Sequence, residues 1–536
     1  MHLNLLSVAL GIGVSLLCQA TTNADSASVV ATDDRGATAS KDSEQMARRI
    51  DVLIEQAWDA DHLKPAPITS DGEFLRRIYL DLNGVIPRVA EVRAFLGDER
   101  PDKRVVLVDR LLASPRYATH MATIWRNRIL PPGVDASRGP EAMALQKWLR
   151  TRFAKNVRYD NVVGELLITL GGDELGPALY FQANELSPEK LAASSAELFL
   201  GLQLQCAQCH DHPTAHWKQK DFWGLAAFFA RVSAREGSGE MRMAYRLVDA
   251  DKGEVRLPDS AEVVEPKFPA GDASPEERQR SRRVQLALWL TSRENDFFAR
   301  AAVNWAWTHL FGRGLVESLD DVQTTAESRL LNELAKFFVK SGYDLRKLWR
   351  TLAITRVYQL SSRDPQRVGE LPQHFARMAA KPLTPEELYD SFSTLASLEG
   401  KKPRSDRSQP SSVTSGLDED PIRLDFIRRM RTPRGSSTEY RAGTLQALML
   451  MNGRTIADIT APGKSNLLGA LDAPFMKDED RVEALFLATL ARRPEKDESD
   501  ACVAALRESS DTQKHNQTLS SILWALLNST EFAFNE

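Results

Sequence analysis

Two cysteines and a histidine, Cys206, Cys209 and His210, form a C-x-x-C-H pattern near the middle of the chain. At this spacing two thiolates can attack the vinyl groups of a haem while the adjacent imidazole binds the iron. The chain has only four cysteines in 536 residues, and the same short window also holds His212 and His216. The local fold must bring these side chains together, and the pattern predicts haem c held by Cys206, Cys209 and His210.

A structural zinc site is the main alternative. Cys206, Cys209, His212 and His216 have the spacing C-x2-C-x2-H-x3-H, and four such ligands can enclose a tetrahedral Zn²⁺. Zinc accounts for the two histidines that haem attachment leaves over, but it gives His210 no role. A third hypothesis is a C-x-x-C dithiol or disulfide at a helix end, with the histidines at the surface.

If haem is attached, its iron has a sixth coordination position. Met241 and Met243 are candidates at a short distance along the chain, and a thioether ligand would raise the reduction potential. The other candidates are His120, His212 and His216. The sixth position can also stay open for a small ligand.

The N-terminus has the features of an export signal. Residues 3–17 are nearly all apolar, which is the length of a signal-peptide core and shorter than the roughly 20 residues of a membrane span. Ala20 and Ala24 are candidate cleavage points. We therefore expect a signal peptide over residues 1–24 and a periplasmic or extracellular protein, with no later segment able to cross a bilayer. Bacterial haem c is attached after export, so this location suits the C-x-x-C-H pattern.

Composition excludes several classes of protein. The formal net charge of −4 gives no electrostatic reason to expect a nucleic-acid partner. Removal of the signal peptide leaves three cysteines, which are too few for a disulfide framework. A chain of 536 residues is too long for one core, so we expect two or three domains.

Apolar residues recur at helical spacing through most of the chain, which predicts a mainly α fold. Ser70 and Asp344 stand where they would cap helices, and residues 191–206 have the pattern of one helix that runs into the cysteine motif. Short apolar runs broken by Gly and Pro favour a β-containing linker between two helical domains.

The predicted parts are a signal peptide, a disordered leader, an N-terminal helical domain with the C-x-x-C-H centre, a linker with short strands and a C-terminal helical domain. In chain order they cover residues 1–24, 25–43, 44–231, 232–280 and 281–530, with a mobile loop over 399–420 in the last.

Other charged and aromatic groups carry weaker indications of function. The neighbouring carboxylates Asp320 and Asp321 favour a helix cap over an acid/base pair, because adjacent side chains on one element point apart. Trp305, Trp307 and His309 form an aromatic group that is more typical of a core than of a site.

Several longer motifs resemble a known family. The stretch 199–213, continued by Trp217 and 221–229, is similar to the cytochrome-c-associated domain of unknown function 1549 that is common in planctomycetes. Residues 77–87 (RIYLDLNGVIP) and 108–115 resemble the same domain.

A second group of motifs resembles the usual partner of that domain, the domain of unknown function 1553. These motifs lie at 298–304, 309–315, 341–346 and 358–362, and Trp305 stands where relatives usually have Arg. The resemblance implies a secreted, two-domain, redox-linked protein of unknown substrate, without the separate N-terminal cytochrome domain that many relatives carry.

Two functions follow as hypotheses. The first is a haem c electron-transfer or oxidoreductase component that works with a redox partner protein. The second is a non-redox extracytoplasmic scaffold or binding protein, associated with polysaccharide-processing proteins, in which the cysteines hold zinc or each other.

Overall fold

The structure is a computed structural model of the chain. It describes residues 22–131, 140–171, 175–213, 215–235, 246–270, 279–320, 325–363, 372–396, 420–431 and 443–536. The predicted signal peptide up to residue 21, the loop over 399–419 and the candidate ligands Met241 and Met243 lie outside the described residues.

Helices make up 64% of the structure, which confirms the mainly α class. The helices before the linker are α1 (Thr22–Ala60), α2 (Asp71–Asn83), α3 (Val89–Leu96), α4 (Lys103–Leu112), α5 (Pro115–Ile129), α6 (Pro140–Ala154), α7 (Tyr159–Ile168), α8 (Leu175–Ala183), α9 (Pro188–Ser195) and α10 (Gln219–Ala226). Those after it are α11 (Arg282–Leu290), α12 (Asp296–Phe311), α13 (Ala326–Lys340), α14 (Leu345–Ala353), α15 (Pro385–Ala396), α16 (Pro421–Met430), α17 (Thr444–Asn452), α18 (Arg454–Thr460), α19 (Asn466–Leu471), α20 (Asp478–Leu490), α21 (Lys496–Arg507), α22 (Thr512–Leu527) and α23 (Thr530–Ala533).

The described strands form small antiparallel pairs. Two pairs lie in the predicted linker: β1 (Val232–Arg235) with β2 (Arg246–Asp249), and β3 (Val255–Arg256) with β4 (Val263–Val264). The third pair joins distant parts of the chain, because β5 (Lys381–Pro382) pairs with β6 (Phe534–Asn535), with Lys381 opposite Asn535.

Helix α1 corrects the predicted disordered leader. The helix is continuous from Thr22 to Ala60 and so includes residues 25–43. The leader was inferred from its few apolar anchors, but it contains no proline to interrupt a helix. Its last residues also make specific contacts, since Lys347 Nζ lies 2.8 Å from an Asp42 carboxylate oxygen and the Ser43 side chain is fully buried.

Helix α2 forms as its sequence predicts. The Ser70 hydroxyl accepts a hydrogen bond from the Glu73 amide at 3.2 Å, and Gly84 ends the helix with a φ of 67°. Only glycine fits at this end, because a Cβ on Gly84 would lie 2.2 Å from Nδ1 of His120 on α5. The helix is buried on nearly all sides, including Arg77 and Asp81.

Most buried apolar side chains of the described residues belong to two hydrophobic cores, and a small third cluster contains Ala227, Val255 and Val264. The larger core gathers residues from Ile50 to Met378, together with Leu487 and Ala491, and so takes side chains from both sides of the linker. The smaller core is built mainly from residues 383–532, and Leu80 and Ile86 also belong to it. Helix α2 therefore packs against both cores. None of the helices in the described ranges is long and apolar enough to cross a membrane.

Candidate functional site

The segment that leads into the cysteine motif is broken into short turns. Helix α9 ends at Ser195, a π-helical turn covers Ala196–Leu200, and a 3-10 turn covers Leu204–Gln208. The single helix predicted over 191–206 is therefore wrong. Gly201, with a φ of 66°, ends the π-helical turn, and a Cβ there would lie 2.7 Å from the Leu319 side chain.

The 3-10 turn presents the thiols to solvent. The side chains of Leu204 and Ala207 are fully buried in the larger core, whereas Cys206 and Cys209 are exposed and not joined in a disulfide. His210 follows directly and is also exposed. The structure thus brings both thiols and the imidazole to one accessible stretch of surface.

Helix α10 holds the backbone of the motif. Gln219 Nε2 donates to the carbonyl oxygens of Gln208 and Cys209 at 3.2 and 2.9 Å, and Trp223 Nε1 donates to the Gln208 carbonyl at 3.0 Å. The Gln219 amide also donates to a carboxylate oxygen of Asp211 at 2.9 Å. These bonds fix the turn while leaving the thiols exposed.

The His210 ring has a defined tautomer. Its Nδ1 lies 2.7 Å from the carbonyl oxygen of Asp211. A carbonyl oxygen can only accept a hydrogen bond, so Nδ1 carries the proton and Nε2 of the neutral ring keeps its lone pair. A histidine that binds a metal through one nitrogen usually donates its other N–H in this way.

His212 has the opposite arrangement. Its Nδ1 accepts a hydrogen bond from the Ala215 amide at 2.9 Å, so the proton of the neutral ring is on Nε2. The His212 amide donates to the Trp217 carbonyl at 2.8 Å, and the exposed His216 ring packs 4.1 Å from the Trp217 ring. His212 and His216 thus shape the turn after the cysteines. Within the described ranges, no three His, Cys, Asp or Glu side chains are grouped so that they could hold a metal ion.

Asp320 supports the motif from the other side of the linker. Its Oδ1 accepts from the indole Nε1 of buried Trp217 at 2.7 Å, and its Oδ2 accepts from the Gln203 amide at 2.9 Å and the Ser318 hydroxyl at 2.6 Å. Asp320 therefore does not cap a helix, and Asp321, the other member of the predicted pair, lies outside the described residues. No local pattern indicates the contacts to Trp217 and Gln203, because they span more than 100 residues of sequence.

Helix α12 positions the segment that carries Asp320. The Asn304 side chain donates to the Val316 carbonyl at 2.9 Å and accepts from the Val316 amide at 3.2 Å. The Leu319 amide then donates to the Gly201 carbonyl at 3.3 Å. The candidate site is therefore built from both halves of the chain.

His120, a candidate sixth ligand, lies elsewhere. It is buried on α5 with its ring 6.2 Å from that of His309, and its Nε2 is 3.9 Å from a Glu387 oxygen. Trp307 is fully buried and stacks on Phe311, as expected of a core residue.

A second polar group surrounds Asp81 at the boundary of the two cores. Asp81 Oδ1 accepts from Lys381 Nζ at 2.7 Å and from Asn535 Nδ2 at 2.8 Å, and Oδ2 accepts from the Tyr358 hydroxyl at 2.7 Å. We call these four residues, together with His120, His309 and Glu387, the Asp81 cluster. The sequence shows these residues separately, but it does not predict that they lie together in the fold.

Burial controls protonation in the Asp81 cluster. Desolvation lowers the pKa of His309 to about 4 and holds the pKa of His120 well below its usual range, so both rings are neutral at pH 7. Desolvation raises the pKa of Glu387 to about 7. These groups are shielded from solvent, whereas the cysteine motif is open to it.

Comparison with known families gives two matches. Residues 49–234 match PSCyt2, described as a protein of unknown function (DUF1549), and residues 282–441 match PSD1, described as a protein of unknown function (DUF1553). No curated protein and no solved structure matches the chain.

Proposed function

For a chain that belongs to the family pairing the DUF1549 and DUF1553 domains, we propose a role as an exported haem c protein. Cys206 and Cys209 hold the haem through thioether bonds, and His210 binds its iron. The protein acts in the periplasm or outside the cell as an electron-transfer or oxidoreductase component, together with a redox partner protein.

The tautomer of His210 carries this proposal. Donation from Nδ1 to the Asp211 carbonyl leaves Nε2 as an accessible lone pair, which is what iron ligation requires. The same bond restricts rotation of the ring, so a ligand bound at Nε2 is held in one orientation.

The donor set of the motif fits a haem group. Both thiols are exposed and unbridged, so each can react with a vinyl group without unfolding the turn. Bound haem supplies one-electron chemistry at its iron. The hydrogen bonds from Gln219 and Trp223 hold the backbone of Gln208 and Cys209 beside the thiols that would carry the haem.

The zinc hypothesis needs a different arrangement of the same residues. With the Nδ1 lone pair of His212 engaged by the Ala215 amide, His212 must change its hydrogen bonding before it can bind Zn²⁺. The zinc hypothesis also gives no role to the hydrogen bond that orients the His210 ring. The two hypotheses therefore differ in which histidine they require.

The test is to produce the full chain in a host that exports proteins and attaches haem c. We expect a Soret band and a mass increase that survive denaturation. Cys206→Ser and Cys209→Ser should reduce or abolish covalent attachment. His210→Ala should shift or abolish the Soret band, whereas the matched control His212→Ala should leave it in place.

The non-redox scaffold hypothesis predicts the opposite outcome of this test. A colourless wild-type protein that carries one zinc per chain, loses it in His212→Ala and keeps it in His210→Ala would overturn the haem proposal. A colourless protein with two reactive thiols and no zinc would overturn it as well.

A further inference from the structure

Residues 372–378, which we call the His374 segment, lie against the C-terminal end of α1. The indole Nε1 of Trp58 on this helix donates to the His374 carbonyl at 2.8 Å. The next side chain, Phe375, is almost fully buried, and its ring centroid lies 5.1 Å from that of Trp307. The segment is therefore attached to α1 through its backbone and to the larger core through an aromatic side chain.

Two successive residues of the His374 segment have a left-handed backbone conformation. The φ angle is 43° at His374 and 55° at Phe375. Residues other than glycine rarely adopt this conformation, and for a bulky residue such as Phe it persists only where surrounding contacts enforce it. The conformation of the segment therefore depends on the interactions of its side chains.

The His374 ring lies between two carboxylates that belong to different parts of the fold. Its Nδ1 is 2.5 Å from Oε1 of Glu327, in the first turn of α13, and its Nε2 is 2.6 Å from Oδ2 of Asp61, directly after α1. We call these three side chains the His374 link. An ionised carboxylate can only accept a hydrogen bond, so both ring nitrogens must donate. The charged ring has two N–H groups, whereas the neutral ring has one and loses one of the two bonds.

The charges around the ring favour its protonated form. Partial burial alone would lower the pKa of His374, but the hydrogen bonds to Glu327 and Asp61 outweigh burial and raise this pKa above 6.5. Other charged or titratable groups near the link are Arg313, whose positive charge acts on Glu327, Asp59 and His62 in the turn that carries Asp61, and Arg377 in the segment itself.

We propose that the His374 link is a pH-sensitive switch that holds the His374 segment on α1 and α13. In acid the charged ring binds both carboxylates and keeps the segment in its left-handed conformation. When the ring loses a proton it gives up one carboxylate, and the strained backbone then favours release of the segment. The proposal is independent of the haem assignment.

The direction of the switch follows from the two pKa values of the histidine. The pKa of His374 is higher in the folded protein than the 6.5 of an ordinary histidine. The contribution of the link to stability is therefore fully present below pH 6.5 and is lost as the pH rises through the folded value.

The His374 segment is connected to the cysteine motif by one loop. Arg313, at the start of the loop that follows α12, donates to the Pro372 carbonyl at 3.1 Å and lies 4.2 Å from the centre of the Phe375 ring. The same loop carries Asp320, which accepts from the Trp217 indole. Release of the segment therefore removes contacts from the loop that supports the motif.

The test measures hydrogen exchange of the full chain at pH 6 and pH 9, with exchange times scaled to the intrinsic rate at each pH. Relative to helix α6, exchange in residues 372–378 should be at least about tenfold faster at pH 9, the factor expected for loss of one hydrogen bond to a charged group. His374→Gln, whose side chain cannot take up a proton, should give the same relative exchange at both pH values. The matched control His515→Gln removes a histidine that bonds a single carboxylate, Asp478 at 3.0 Å, and should keep the wild-type response.

A second measurement follows the ring itself. In an NMR titration of protein with labelled histidines, the His374 resonance is the one that disappears in His374→Gln. Asp61→Asn and Glu327→Gln should each lower the pKa of His374, because each removes one of the carboxylates that favour the charged ring.

Any of three results would overturn the proposal. The first is wild-type exchange in residues 372–378 that changes with pH no more than exchange in α6 does. The second is a wild-type pH response that persists in His374→Gln. The third is a His374 titration that is unchanged in either carboxylate variant.

Discussion

The cysteine motif and the Asp81 cluster contain similar residue types in opposite environments. Around the motif, His210 and both thiols are exposed, and the hydrogen bonds go mainly to backbone atoms of the turn. In the Asp81 cluster the carboxylate is fully enclosed and accepts from Lys381, Tyr358 and Asn535. One region leaves its reactive atoms available, and the other uses them to join distant parts of the fold.

The comparison shows that protonation and accessibility, more than residue type, separate a candidate reactive site from a structural one. His309 is neutral because burial lowers its pKa to about 4, and its Nε2 lies 3.1 Å from the Asp81 carbonyl. His210 also donates to a carbonyl, but its second nitrogen remains open. Substitutions in the two regions should therefore have different consequences.

The largest effect is expected for Asp81→Ala. The substitution leaves the Lys381 ammonium buried without its carboxylate and removes the acceptor of Tyr358 and Asn535. Loss of one partner of a buried ion pair costs about 3–5 kcal/mol. We expect urea unfolding to give a free energy of unfolding that is lower by this amount, with a correspondingly lower midpoint.

Cys206→Ser is the matched substitution in the motif. Because this side chain is exposed, its stability should stay within about 0.5 kcal/mol of the wild type. If Asp81→Ala unfolded at the same urea concentration as Cys206→Ser, the structural role of the Asp81 cluster would be refuted.

A pH-dependent effect is expected at Glu387. Burial raises its pKa from 4.5 to about 7 in the folded protein. Between pH 4.5 and about pH 7 the Glu387 carboxyl keeps a proton in the folded state that it releases in the unfolded chain. The free energy of unfolding therefore falls as the pH rises through this range, by up to about 3 kcal/mol. Glu387→Gln removes this loss, and Gln can still accept from the Thr384 amide as Glu387 does.

We therefore expect Glu387→Gln to unfold at a higher temperature than the wild type at pH 8, and at nearly the same temperature at pH 4.5. His309 provides an internal control of opposite sign. Its lowered pKa makes stability fall as pH drops from 6.5 to about 4, and this acid limb should persist in the variant. Parallel profiles for the two proteins from pH 4.5 to 8 would contradict the assignment.

A smaller loss of stability is expected for substitution of Asp320, which supports the cysteine motif. Asp320→Asn replaces one acceptor oxygen of a carboxylate that serves Trp217, Gln203 and Ser318. Loss of a hydrogen bond to a charged group costs about 1.5–3 kcal/mol. Hydrogen exchange should accelerate over residues 201–217.

Exchange in α2, which carries Asp81, should not change in this variant. Uniform acceleration across the chain would show that Asp320 acts on global stability and not on the motif. Trp217→Phe removes the same bond from the other side and should reproduce the local pattern.

Sequence predicted the features that depend on neighbouring residues. Asp344 caps α14 as expected, since its side chain accepts from the Lys347 amide at 3.0 Å. Ser70 caps α2 in the same way. The mainly α class and the two family resemblances follow from patterns of this local kind.

The features that sequence missed depend on tertiary contacts. The sequence gives no sign that Asp320 binds Trp217, because these two residues lie 103 positions apart in the chain. The helix expected through 191–206 breaks at Gly201, where close packing of Leu319 leaves no room for a Cβ. Similarly, Asp81 lies on a helix whose second face is covered by residues far along the chain, and no local pattern predicts its burial.

The bond between Asp81 and Asn535 sets the order in which the molecule can mature. These residues are separated by 454 positions, so at typical synthesis rates about 20 to 90 s pass between the appearance of one and the other. Until then the Asp81 carboxylate lacks one donor, and the edge formed by β5 has no partner strand. The boundary between the two cores is therefore expected to close only after residue 535 has been made.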